Sequence, residues 1–167
     1  MRSHNWIIKL FTETSSDLLS ISVLLLRSAL GVILFVVGAG KVLGWFGGFG
    51  MEATIGFYAQ SGISLPLTYM SCYTEFIGGL LIAAGFLTRP AAFAVSINMI
   101  VATIITLPTG FFGSGGGASY PFIFAVIAIV ILFTGPMAYS VDSLILSKSE
   151  MPSDSLNFDG NRQRISK

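Results

Sequence analysis

From Pro90 to Val141 the chain carries no Asp, Glu, Lys or Arg. Between Leu18 and Val141 the only charged residues are Arg27, Lys41, Glu52, Glu75 and Arg89. A water-soluble fold needs a polar face on each surface element, and these segments lack one. Charged residues make up 10% of the chain, where an ordinary soluble domain has about a quarter. The mean hydropathy of +0.81 points the same way. The 167 residues suffice for one domain. The chain reads as an all-α integral membrane protein, a four-helix bundle in the bilayer.

Composition also closes off several functions. A net charge of +1 provides no basic field for nucleic acid. Cys72 is the single cysteine, so an intrachain disulfide, a CxxC redox pair and a thiolate zinc site are ruled out. The one histidine, His4, stands in the polar N-terminal segment, where it cannot ligate haem or metal inside a bilayer. No metal site is expected. Any redox work must use a diffusible cofactor or a centre on a partner protein.

A spanning helix needs about 20 mostly apolar residues. Four candidates fit, at about 18–40, 67–87, 91–107 and 121–139. They form a membrane domain over 18–142. A cytoplasmic segment 1–17 precedes it, and a polar tail 143–167, expected to be disordered, follows. The first stretch is too long for a signal-peptide core and has no convincing small-x-small cleavage site, so it is expected to be retained. Arg89-Pro90 suggests a tight turn with Pro90 opening the third span. Arg2, Lys9, Arg89, Lys148, Arg162, Arg164 and Lys167 fall on one side and Lys41 on the other. The positive-inside rule then places both termini in the cytoplasm of a bacterial inner membrane, with loops 41–66 and 108–120 outside.

The first outer loop, Gly44-Trp45-Phe46-Gly47-Gly48-Phe49-Gly50, is aromatic and glycine-rich. It leads into Met51–Ser61, a candidate short interfacial helix. Its aromatics suit a headgroup-level anchor or a lid over a substrate. The second loop has five glycines within Gly110–Gly117, but no strand precedes it as a phosphate cradle requires. It reads as a mobile connector.

Helical spacing gathers the few polar residues. Arg27, Gly31, Gly38 and Lys41 fall within an ~80° stripe of the first span. Thr68, Ser71, Cys72, Glu75, Gly79 and Phe86 form a stripe on the second, and Asn98 shares a face with Ala91, Ala94 and Ala102 on the third. Small residues on such seams let helices approach closely. By helical rise, Arg27 and Glu75 differ in depth by less than ~10 Å, which long side chains can bridge. Lys41 can reach Glu75 or the headgroups. Pairing gives these charges a structural role. Two cations against one carboxylate instead leave a surplus positive charge for an anion or a quinone headgroup, and intramembrane ionisable residues are candidates for proton or ligand sites. Cys72 lies beside a carboxylate and in apolar surroundings, both of which disfavour a reactive thiolate. Asn98 suits an interhelical hydrogen bond.

Several motifs in order carry a resemblance. Arg27-Ser28-Ala29-Leu30-Gly31, then Gly38-Ala39-Gly40-Lys41-Val42-Leu43-Gly44-Trp45-Phe46-Gly47-Gly48, resemble the opening of the DoxX family. So do Glu75-Phe76-Ile77-Gly78-Gly79-Leu80-Leu81, Gly85-Phe86-Leu87-Thr88-Arg89, and Leu107-Pro108-Thr109-Gly110-Phe111-Phe112 with Gly116 and Tyr120-Pro121. The likeness covers about residues 20–142. It implies a four-helix membrane bundle related to the small subunit of thiosulfate–quinone oxidoreductases and to membrane components of methylamine-oxidising systems. Many such proteins are linked to thiol, sulfur or oxidative-stress redox complexes. The matched polar positions are Arg27, Lys41, Glu75 and Arg89. This sequence departs from the pattern at Thr106 and Ser119, where relatives carry His and an acidic residue.

Three functions follow as expectations. The first is an accessory subunit of a quinone-coupled membrane redox system. Arg27, Lys41 and Glu75 would frame the quinone or anion site, Asn98, Cys72 and Arg89 would support it, and partner proteins would bear the redox centre. The second is a non-catalytic scaffold whose buried charges only fix packing. The third is a small-solute transporter built as a homo-oligomer, against which the lack of an inverted repeat and of a broken helix argues.

Overall fold

The structure, a computed structural model, describes residues 16–113 and 117–149. It runs α1 (Ser16–Leu43), a 3-10 turn (Trp45–Gly47), α2 (Gly50–Gln60), α3 (Leu65–Ala84), α4 (Thr88–Thr106), a 3-10 turn (Leu107–Thr109), α5 (Ser119–Thr134) and α6 (Val141–Ser149). All regular elements among the described residues are helical. Among the described residues, three helices are long and apolar enough to cross a membrane: α1, α3 and α4 with its 3-10 extension. The fourth, α5, is apolar but has 16 residues. At 1.5 Å per residue it covers roughly 24 Å of a ~30 Å core.

Helix ends move from their expected places for local reasons. Gly85 adopts a left-handed conformation (φ +69°) and closes α3, donating to the Ile82 carbonyl while Phe86 donates to that of Leu81. The turn is therefore Gly85-Phe86-Leu87, not Arg89-Pro90, and Pro90 lies inside the first turn of α4. Gly135 (φ +74°) and Pro136 stop α5 at Thr134, short of the expected Tyr139. The short helix expected over Met51–Ser61 is present as Gly50–Gln60.

One expectation needs correcting. Residues 143–149 of the polar tail continue a helix. Ser140 and Ser143 build a reciprocal capping box that starts it: the Ser143 N–H donates to Ser140 Oγ at 3.0 Å, and the Ser140 N–H to Ser143 Oγ at 3.3 Å. Tail residues 150–167, the N-terminal residues 1–15 and loop residues 114–116 lie outside the described residues.

The bundle is two tight pairs, α1 on α3 and α4 on α5, joined by α3–α4 and α1–α5 contacts. Leu30, Leu34, Ile82, Val95, Met99 and Ile131 fill the space between them. At three glycines of the α1–α3 seam no side chain stands between the two backbones. A Cβ on Gly31 would stand 2.5 Å from the Ala83 nitrogen, and one on Gly79 2.5 Å from the Phe35 nitrogen. One on Gly38 would meet the Phe76 backbone. Small residues thus bring two backbones into direct contact. That contact fixes an antiparallel register in which Gly31 faces Gly79–Ala83 and Gly38 faces Glu75–Phe76.

Candidate functional site

The register decides which charges meet. One turn beyond Gly38, Lys41 falls opposite the Cys72–Glu75 turn, and its Nζ donates to Glu75 Oε1 at 2.8 Å and Oε2 at 2.6 Å. The same Nζ donates to the Tyr58 hydroxyl at 3.1 Å and stands 5.7 Å from the centre of its ring. The Glu75 side chain is 5% exposed and that of Lys41 25%, so the pair lies at the edge of the bundle with one side open. The lysine also ends α1, where a cation complements the helix dipole.

Over this pair the chain folds back on itself. A Cβ on Gly48 would run into the Gly40 backbone, so the loop after α1 rests directly on the helix it has left. The result is a cleft of about 240 Å³ between Val36, Val37, Lys41, Trp45, Phe49 and Thr54. Small-molecule pockets usually exceed ~300 Å³, so this one has room for no more than a ring-sized group. A wider groove of about 440 Å³ runs along α3 and α4, floored by Gly78, Ala91 and Ala94. Its lining is apolar, as a lipid-facing surface is.

Arg27 is not part of this site. The register sets it opposite Gly85, at the far end of the bundle from Lys41, and a Cβ on Gly85 would strike its guanidinium. It is 2% exposed. Its Nη1 donates to the Pro136 carbonyl at 2.8 Å and its Nη2 to the Tyr139 carbonyl, while its buried Nε meets no acceptor among the described residues. The Arg27–Glu75 pairing that depth alone allows is thus excluded by helix register. The surplus positive charge also disappears: Glu75 answers Lys41, and the charge of Asp142 acts on Arg27.

Asp142 does a second job. Its carboxylate accepts from the Leu87 N–H at 2.9 Å, the Thr88 N–H at 3.0 Å and the Thr88 hydroxyl at 2.9 Å. It therefore caps α4 from a different helix, where Leu87 has no capping side chain of its own. Burial pushes the Asp142 carboxyl up. The hydrogen bonds from Thr88 and Leu87 and the charge of Arg27 outweigh this and hold it below the ordinary aspartate value. A depressed folded-state value means that the ionised carboxylate stabilises the fold above the unfolded value of about 3.9. That contribution is lost as pH falls through the lower folded value. Thermal stability in detergent should drop below about pH 4, and Asp142→Asn should shrink the drop. An unchanged pH profile in the variant would remove this role.

The remaining expected residues are spread out. Cys72 is fully buried on the face of α3 that meets Lys41 and Glu75. Asn98 Nδ2 donates across helices to the Ser71 carbonyl at 3.4 Å, a long contact that ties α4 to α3. Arg89 is exposed beside Gly135, at the Arg27 end. Two functional residues escaped the sequence reading, Tyr58 and Asp142. The spacing of Tyr58 within Met51–Ser61 carried no charge signal. Asp142 sits one residue past the charge-free run.

The chain matches the DoxX family over residues 22–108, a segment that contains Arg27, Lys41, Tyr58 and Glu75. It is 30% identical over 126 residues to a Bacillus subtilis (strain 168) protein named "Putative oxidoreductase CatD", covering 75% of this chain and 87% of that one. No solved structure matches it. The aligned region takes in the glycine seam, the ion pair and the aromatic loop together, and the chain is a member of the DoxX family.

Proposed function

We propose that this protein is an accessory subunit of a quinone-linked oxidoreductase system in a bacterial inner membrane, and that the quinone headgroup is received at the Lys41–Glu75–Tyr58 cluster. On this reading α5 completes a four-span bundle, with both termini on the cytoplasmic side. The name of the Bacillus subtilis relative supports the reaction class. The observation that carries the reading is the site's composition. A paired cation lines a ring-sized cleft with aromatic walls and is itself bonded to a phenol, in a chain with one cysteine and one histidine. Electrons would come from a redox centre on a partner protein.

The residues present fit such a group. Trp45 and Phe49 supply apolar walls for a ring. Lys41 presents a charge-assisted donor to a carbonyl oxygen. Glu75 holds that ammonium in place through both oxygens. Tyr58 accepts from Lys41 and keeps its own proton to donate. When bound, a quinone supplies two-electron acceptance. The cluster's part is to bind and orient the headgroup and to exclude water from it.

A second reading has its own support. All three Lys41 protons already have partners in Glu75 and Tyr58, as a purely structural tie requires. The two readings separate in one experiment. Purified in mild detergent with its native partners, wild type is expected to retain quinone, and Glu75→Gln and Lys41→Met to lose about tenfold of it, equal to ~1.4 kcal/mol. Wild type without quinone overturns the proposal. Variants with less folded protein but undiminished quinone per folded chain favour the structural tie.

A further inference from the structure

We propose that α2 is a lid over the Lys41–Glu75 pair, held shut by the Tyr58 hydroxyl, and that a ligand oxygen reaching Lys41 displaces Tyr58 and opens it. Three features of the structure converge on this. Thr54 is the only buried residue of α2, and its hydroxyl bonds back within the helix to the Gly50 carbonyl. Among the described residues, Tyr58 to Lys41 is therefore the one side-chain hydrogen bond that ties α2 to the bundle. The lid is also bounded by flexible points. Gly50 (φ +77°), its first residue, and Gly62 (φ +74°), just past its end, bound it, and a Cβ on either would meet nothing closer than 4.0 Å. Only glycine takes such a conformation without strain, so both ends can swing by small dihedral changes.

The third feature is the inequality of Lys41's partners. Glu75 is charged and binds at 2.6 and 2.8 Å through two oxygens, whereas Tyr58 is neutral and binds at 3.1 Å through one. A competing oxygen therefore replaces Tyr58 first. The 240 Å³ cleft brings that competitor in beside Lys41 and Thr54, under the start of α2. The displaced phenol keeps a donatable proton at the mouth of the opened site. Tyr58 is thus a positioning residue: it occupies the ligand's place on Lys41 until the ligand arrives. The ligand's identity as a quinone rests on the reading above, and the lid itself does not.

Hydrogen–deuterium exchange on the full chain in lipid nanodiscs tests both parts separately. Tyr58→Phe keeps the ring and removes the latch. It is expected to speed exchange of the α2 amides about tenfold, the effect of a lost charge-assisted bond, with α1 and α3 unchanged. Phe57→Ala, on the exposed side of α2, should leave α2 exchange at the wild-type rate. Unchanged α2 exchange in Tyr58→Phe, or an equal rise throughout the bundle, overturns the lid. Adding decylubiquinone to wild type should raise α2 exchange toward the Tyr58→Phe rate and leave the variant where it was. If Tyr58→Phe opens α2 and the quinone does not, the lid stands, and displacement by quinone is overturned.

Discussion

Gly79→Leu and Gly38→Leu are each expected to abolish the folded bundle, seen as loss of the monodisperse peak in detergent and of a cooperative thermal transition. At both positions even a single Cβ meets the backbone of the facing helix, which has no rotamer with which to yield. Overpacked cores ordinarily lose ~1–3 kcal/mol because side chains shift aside. Here α1 and α3 must separate along their whole seam, and the Lys41–Glu75 pair, held by that seam, separates with them. Gly56→Ala makes the control. Gly56 lies in α2 with nothing within 4 Å of a Cβ, so the change should be neutral or stabilise slightly by helix propensity. If Gly79→Leu keeps the wild-type transition, the backbone-to-backbone seam is wrong, and with it the register that pairs Lys41 with Glu75.

Glu75→Ala is expected to cost ~3–5 kcal/mol, the usual loss when one partner of a buried pair is removed and the other charge stays behind. Lys41 is 25% exposed, and its escape toward the open side puts the effect at the lower end of that range. The double variant Lys41→Met/Glu75→Leu should recover most of the loss, because no unpaired charge remains. Thermal or chemical unfolding in one detergent compares the three proteins directly. Failure of the double variant to recover would mean that the pair itself, and not the avoidance of a lone charge, holds this end of the bundle. Quinone content distinguishes function from stability here. The double variant should be stable and quinone-free.

Much of the architecture was legible because it depends on one-dimensional patterns. The absence of charge from Pro90 to Val141 marked the membrane region, and the glycines at 31, 38 and 79 announced a close helix pair. The partners of the charges were not legible, since they depend on register between helices. A stripe and a depth allowed Arg27 to meet Glu75, but backbone contact at three glycines shifts Arg27 to the level of Gly85. Asp142 drew no role because it is the last residue of the expected membrane domain, one position past the charge-free run. The helix that carries it starts from a Ser-x-x-Ser box, which lacks the acidic residue that usually betrays a capping box. Tyr58 had no signal at all. A tyrosine among interfacial aromatics is unremarkable until Lys41 is seen 3.1 Å away.

The placement of Arg27 has a consequence for how the chain is made. Its guanidinium binds carbonyls 109 and 112 residues later in the sequence. As the ribosome delivers the helices in order, α1 enters the membrane with an arginine whose acceptors do not yet exist. Neither α3 nor α4 can supply them, because both carbonyls belong to the segment after α5. Its two Nη groups find these acceptors only when Pro136 and Tyr139 arrive, and Asp142 then caps the start of α4 in the same event. Assembly therefore closes between α1 and the segment that follows α5, and a chain cut short before residue 136 leaves Arg27 without either carbonyl.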